Sequence, residues 1–166
     1  VQRPPMQEVL DRVENLVHPE TQVREHGIDL TVSAIHEVTE AGRIDFGGDE
    51  LAEADLEPHE LTRRNPDDEY QWWHLDAGTY VLQYNELVTG DEHARLLLQP
   101  RNKLMARGAS HPTVTVGGHL PLVPLTVGGA GIEIKENARV STVVPVEAGP
   151  SVGDGGDDAV DADIVE

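Results

Sequence analysis

The sequence predicts a mainly β domain, a barrel or sandwich with one amphipathic helix at its edge. Three observations carry that prediction. Apolar residues recur with a period of two in many short runs. Turn-forming residues are plentiful, with 16 Gly and 11 Pro. Only one stretch, at the N-terminus, shows sustained helical spacing. The 166 residues, 38% of them hydrophobic, suit a single domain with an ordinary core.

Taken in order, Pro4-Pro5 can open a helix, because proline is tolerated in the first turn. Met6, Val9, Leu10, Val13, Leu16 and Val17 then fall on one face, with Asp11, Arg12, Glu14 and Asn15 on the polar side. Pro19 ends the pattern at about His18. Ile28, Leu30 and Val32 alternate with Asp29, Thr31 and Ser33, which predicts a strand that Ile35 and Val38 can extend. Ala41-Gly42 and Gly47-Gly48-Asp49 are turns. Residues 49–68 are acidic and poor in apolar side chains. They read as a surface loop or insertion, with room for a helical turn near 51–56.

Further strands are expected over 71–75, 79–84, 96–98, 113–116, 120–127, 131–134 and 139–144, with 86–88 as a possible extension of the second. Residues 102–107 suit one helical turn ended by Gly108, Asn137 suits a turn, and Gly128-Gly129-Ala130-Gly131 reads as a hairpin connection. The segment 147–166 carries seven acids and no base, which predicts a disordered acidic tail. The expected organisation is therefore a helix over 1–18, a β domain over 19–146 and a tail over 147–166.

The formal net charge is −19, from 31 acidic and 12 basic residues. A field of that sign repels phosphate backbones and anionic lipid, which argues against nucleic-acid polymers and membrane surfaces as partners. Ten of the bases are Arg and only Lys103 and Lys135 are Lys, a balance expected of a protein working in high salt, where self-repulsion is screened. An acidic protein of ordinary salt, or one with a basic partner, is the other reading. Without cysteine the chain has no disulfide, thiolate metal site or cysteine nucleophile. No apolar run approaches the roughly 18 residues a membrane span needs. No signal-peptide pattern is visible behind Val1, so a soluble cytoplasmic protein is the expectation.

The eight histidines form no HExxH frame, and isolated loop histidines are usually solvated. Nucleotide-binding glycine fingerprints, a Walker loop and a GxSxG elbow are missing as well. The segment that stands out is Pro100-Arg101-Asn102-Lys103-Leu104-Met105-Ala106-Arg107-Gly108, which holds three of the chain's bases within seven residues. Arg101 and Lys103 can bind a phosphate, with Asn102 and backbone amides as further donors. A basic turn that pairs with neighbouring acids fits the spacing equally well.

At this segment the chain resembles the dUTPase and dCTP deaminase superfamily, in particular its archaeal single-domain members. The family's Pro-Arg-Ser-Ser-Leu and following glycine correspond to residues 100–104 and Gly108. Gly27-Ile28-Asp29-Leu30 matches a Gly-Tyr-Asp-Leu strand, and Gly78-Thr79-Tyr80-Val81-Leu82 matches Gly-x-Tyr-x-Leu. Residues 137–144 match a segment usually read as Gly-Ala-Arg-Ile-Ala-Gln-Leu-Val. The resemblance spans about residues 20–146. It implies a distorted β-barrel or jelly-roll fold, homotrimers with active sites between subunits, a pyrimidine deoxynucleoside triphosphate as ligand, and Mg²⁺ to hold the triphosphate. It further implies phosphate or substrate contacts for Arg101, Asn102, Lys103, Gly108 and Arg139, a sugar contact for His119, and an indirect Mg²⁺ contact for Asp29. From the residues alone, Arg139 can equally pair with an acid across the barrel and His119 can be an ordinary turn residue.

The chain also departs from the family. Asn102 and Lys103 replace its two serines, and Val116 stands where a dUTPase has its catalytic Asp. Thr126 falls near the position of the deaminase Glu, and Thr142 near a family glutamine. Valine cannot position or deprotonate a water, and threonine is a poor proton shuttle. Glu86, Glu92 and His111 are the candidates for a replacement base. Three functions follow: a dCTP deaminase or dUTP diphosphatase with shifted catalytic residues, a non-catalytic paralogue that binds a nucleotide or other anion, or a structural trimeric interaction module.

Overall fold

The structure, a computed structural model, describes residues 5–146; the expected acidic tail lies outside them. The elements in order are α1 (Pro5–Arg12), β1 (Val13–Glu14), α2 (Pro19–Gln22), β2 (Ile28–Glu40), β3 (Asp55–Pro58), β4 (Leu61–Thr62), β5 (Trp72–Leu75), β6 (Gly78–Tyr84), β7 (Leu87–Val88), β8 (Leu96–Pro100), α3 (Asn102–Met105), β9 (Ala109–Ser110), β10 (Val114–Val116), β11 (Val123–Val127), β12 (Ile132–Lys135) and β13 (Arg139–Pro145). The fold is mainly β, as expected, and its main sheet curls into a half-barrel.

The main sheet runs β10-β8-β13-β2-β6-β11-β9, with β3 added along β2. Strands β12, β5 and β4 form a second sheet, and β1 pairs with β7. All the pairings are antiparallel. Alternation builds the core: Tyr80, Leu82 and Tyr84 of β6 and Val123, Leu125 and Val127 of β11 all point inward. With Ile28, Leu30, Val32, Leu98 and Val143 they form one continuous cluster.

β2 departs from simple alternation. Asp29 and Thr31, the polar residues of the alternating pattern, are buried with the apolar residues around them. The hydrogen bonds that cover them shape the site below. The helix of the N-terminus is shorter than its periodicity suggests: α1 stops at Arg12, and Pro19 begins α2 rather than ending a continuous helix. The cause is tertiary. Arg12, expected on the polar face, is only 6% exposed and donates to the carbonyls of Thr89, Ala94 and Gly117. The next two residues leave the helix to pair with β7, and Asn15 takes a positive φ of 66°.

Two other expectations change. The acidic stretch 49–68 holds β3 and β4 and no helix, because β2 runs on to Glu40 and offers its edge to residues 55–58. The glycine-rich turn at 128–131 joins β11 to β12 in different sheets, so it is a crossing between layers and not a hairpin. The helix α3 is shorter than expected, stopping at Met105 with Ala106 as its cap; Gly108 closes the turn that follows at a φ of +114° that favours glycine, and Asn137 turns at a φ of 63°.

Candidate active site

Residue Asp29 of β2 is the centre of the site. It is 2% exposed, and three guanidinium groups converge on its Oδ2. Arg139 Nη1 lies at 3.0 Å, Arg101 Nε at 3.5 Å and Arg24 Nη1 at 3.9 Å. The other oxygen, Oδ1, accepts the Thr142 hydroxyl at 2.9 Å. The four donors come from three places in the chain. Thr142 and Arg139 come from β13, which pairs with β2 so that Thr142 faces Asp29 directly. Arg101 follows β8 and precedes α3, its backbone N–H held by the Val140 carbonyl and its Nη1 by the Arg139 carbonyl.

Arg24 comes from the tight turn between α2 and β2, closed by its own N–H on the Gly27 carbonyl. Gly27 is required there by close approach. A Cβ on it would sit 2.6 Å from the Val143 carbonyl oxygen and 2.8 Å from the Thr142 methyl.

The strand around Asp29 is held from behind through Gln22 and Thr31, which both bond a second buried carboxylate. Glu86, 1% exposed, accepts from Gln22 Nε2 and from the Thr31 N–H, both at 2.8 Å, and from the Thr31 hydroxyl. Gln22 also donates to the Asp29 carbonyl at 2.9 Å. Hydrogen-bond donors replace the water that such a carboxylate would otherwise need.

In front of Asp29 lies a cleft of about 500 Å³, lined among others by Arg24, Glu25, Gln99, Arg101, Asn102 and Lys103. The lining holds three bases, Arg24, Arg101 and Lys103, against two acids, of which Asp29 is already engaged. Glu25 is exposed at the rim, where its carboxylate lies 3.9 Å from His26 Nε2. Burial lowers the Arg101 pKa, while Asp29 acts in the opposite direction. Arginine titrates so high that it stays charged at any working pH. The cleft therefore presents forked cationic donors at the edge of a low-dielectric wall, an arrangement suited to a phosphate or carboxylate.

The structure gathers the predicted residues Arg101, Asn102, Lys103 and Asp29 at this cleft. Arg139 reaches the same carboxylate without lining the cavity. Two others lie apart. Gly108 shapes the turn after α3, its carbonyl accepting from the Gly128 N–H. His119 lines a separate cleft of about 400 Å³ with Glu92, His93, Arg95, Gly117 and Gly118. The sequence reading missed Arg24, which no motif marks.

Of the candidate replacement bases, Glu86 is committed to its internal hydrogen bonds and lines none of the clefts described. His111 is 4% exposed; its Nδ1 donates to the Pro112 carbonyl, and its Nε2 accepts the Ser141 hydroxyl. Glu92 belongs to the His119 cleft. Val116 is wholly buried in the core.

The residues present do not fit a protein-held Mg²⁺. Magnesium takes oxygen ligands, and carboxylates are the protein groups that best repay its dehydration. Here the buried carboxylate faces three guanidiniums and a hydroxyl. Among the described residues no group of three or more His, Asp or Glu is placed to hold a metal. No helix among them is long and apolar enough to cross a membrane.

A half-barrel sheet bearing an arginine-rich cleft at the junction of β2, β8 and β13 defines the class as a dUTPase-like β fold. A solved 2'-deoxycytidine 5'-triphosphate deaminase from Agrobacterium tumefaciens superposes with a TM-score of 0.55 at 12% identity, over 80% of this chain and 43% of that chain's length. Among sequence relatives, a protein of Methanosarcina mazei named a probable deoxyuridine 5'-triphosphate nucleotidohydrolase is 30% identical over 132 residues, 77% of this chain and 74% of its own. A Halobacterium salinarum protein of the same name is 37% identical over 144 residues, 82% of this chain and 81% of its own. No family model matches the chain. The chain belongs to the dUTPase and dCTP deaminase superfamily.

Proposed function

We propose that the chain works in deoxynucleotide metabolism and takes the triphosphate of a pyrimidine deoxynucleotide into the Arg101 cleft. The observation that carries this reading is the convergence of Arg24, Arg101 and Lys103 on one cavity in a chain of net charge −19. Cations gathered against so acidic a background mark a place where an anion is bound. Arg101 supplies a forked contact, and Lys103, exposed on α3, adds a mobile charge where the family resemblance implies a hydroxyl.

Any Mg²⁺ arrives on the phosphate oxygens and not on the protein's carboxylates. The likeness to a trimeric family suggests that the His119 cleft of one subunit completes the Arg101 cleft of the next, which would bring together residues that lie apart within one chain.

For turnover the cleft needs a group that orients or deprotonates water. Glu25 is the lining carboxylate not tied to arginines, and it fills that role in this reading. Glu25→Gln then lowers dUTP or dCTP turnover by about a hundredfold with little change in affinity, measured as pyrophosphate released from dUTP or ammonia released from dCTP under saturating nucleotide. A panel of dUTP, dCTP and dTTP, assayed for both binding and turnover in concentrated KCl, tests the function itself. Binding with turnover makes the chain an enzyme of the family type, and binding alone makes it a non-catalytic paralogue. No binding of any nucleotide overturns the proposal. Sedimentation in the same salt reads the assembly, with a trimer expected.

A further inference from the structure

We infer that Asp29 is the positioning residue of the phosphate site: its buried carboxylate aims the arginines, and its own charge never meets the ligand favourably. The inference rests on the Arg101 cleft being an anion site. Its ground is the geometry of one carboxylate. Oδ2 takes Arg139, Arg101 and Arg24 at 3.0, 3.5 and 3.9 Å, and Oδ1 takes Thr142 at 2.9 Å. Asp29 is 2% exposed, whereas the side chains of Arg24 and Arg139 are 55% and 27% exposed. The Arg101 side chain is 13% exposed, so the acid is the most deeply buried member of the cluster and the bases reach outward from it.

Arginine side chains lose much conformational freedom when they are held. Three like charges also repel when crowded. A single immobile counter-charge offsets both costs before a ligand arrives, and leaves Arg24 and Arg101 with further N–H donors at the cavity they line. Gln22, which donates to the Asp29 carbonyl and is itself held by Glu86, makes the anchor rigid. This role differs from the indirect metal contact that the family resemblance implied for Asp29. A carboxylate surrounded by guanidiniums has no need of another cation.

The two effects of Asp29 on an anion oppose each other, which makes the inference decidable. By charge alone, removing Asp29 adds one positive unit to the cleft and tightens anion binding. By positioning, it frees the arginines and weakens binding. The test titrates the full chain with the non-hydrolysable α,β-imido analogue of dUTP by calorimetry in concentrated KCl, comparing wild type with Asp29→Asn.

Weakening by about tenfold or more in a protein that keeps the wild-type circular dichroism supports positioning. Equal or tighter binding overturns it, while the phosphate site itself stands. If Asp29→Asn does not fold, Thr142→Val decides: it keeps the charge of Asp29 and removes only its Oδ1 donor. A loss of severalfold in affinity supports the inference, and unchanged affinity overturns it. A wild-type chain that fails to bind the analogue removes the phosphate site, and this inference with it.

Discussion

Two arginines in this fold, one buried and one half-buried, do opposite work. Arg12, at the end of α1, is 6% exposed and spends its donors on main-chain carbonyls of Thr89, Ala94 and Gly117, with Asp91 more distant. It meets no carboxylate among the described residues, and the loop around it closes tightly enough that a Cβ on Gly90 would lie 2.6 Å from its Nε. Arg101, 13% exposed in its side chain, gives one donor to the Arg139 carbonyl, leans on the charge of Asp29 and still lines an open cleft. A guanidinium saturated by backbone is a structural pin. One held from behind by a carboxylate remains able to bind. The chemistry of the residue is the same, and the difference lies in how many donors its partners leave over.

The comparison predicts a separation between stability and binding. Arg12→Ala strands several carbonyls and should cost about 3 kcal/mol of folding free energy, read from the denaturant midpoint, with nucleotide affinity nearly intact in the folded fraction. Arg101→Ala should cost only about 1 kcal/mol, because Asp29 keeps Arg139, Arg24 and Thr142. Equal stability losses in the two variants would erase the distinction.

The smallest effect concerns a buried group that belongs to neither region. Tyr84 donates to Ser141, and Ser141 donates to Nε2 of His111. Burial lowers the pKa of His111, with its hydrogen bond to Pro112 acting in the opposite direction, and burial likewise raises that of Tyr84. The unfolded chain binds the imidazole proton near pH 6.5 and the folded chain only at lower pH. The contribution of neutral His111 is therefore complete above about pH 6.5 and is lost as the pH falls through the folded value. Denaturant midpoints taken at successive pH values should fall less steeply on the acid side in His111→Gln than in wild type.

Local pattern carried most of the fold. The strands over 72–75, 78–84, 96–100 and 139–145 were legible because alternation and bounding turns fix them locally. Short pieces such as β1, β4 and β9 were not, since a two-residue strand exists only through its partner. The helix end is not legible locally for the same reason: Arg12 resembles a solvent-facing residue until segments near 90 and 117 enclose it.

The site was legible in half. Arg101, Asn102 and Lys103 announce themselves by density in an acidic chain. Asp29 was visible as a motif residue, but its task was not, because its partners lie up to 113 positions away. Arg24 sits in a turn that no periodicity marks, and only the packing of Gly27 against β13 brings it to the cleft.

The central claim is that the Arg101 cleft binds a nucleotide triphosphate. Calorimetric titration of wild type and Arg101→Ala with the α,β-imido analogue of dUTP in concentrated KCl tests it most directly. Saturable wild-type binding that weakens by about a hundredfold in Arg101→Ala is the predicted result. Identical affinities in the two proteins would contradict it.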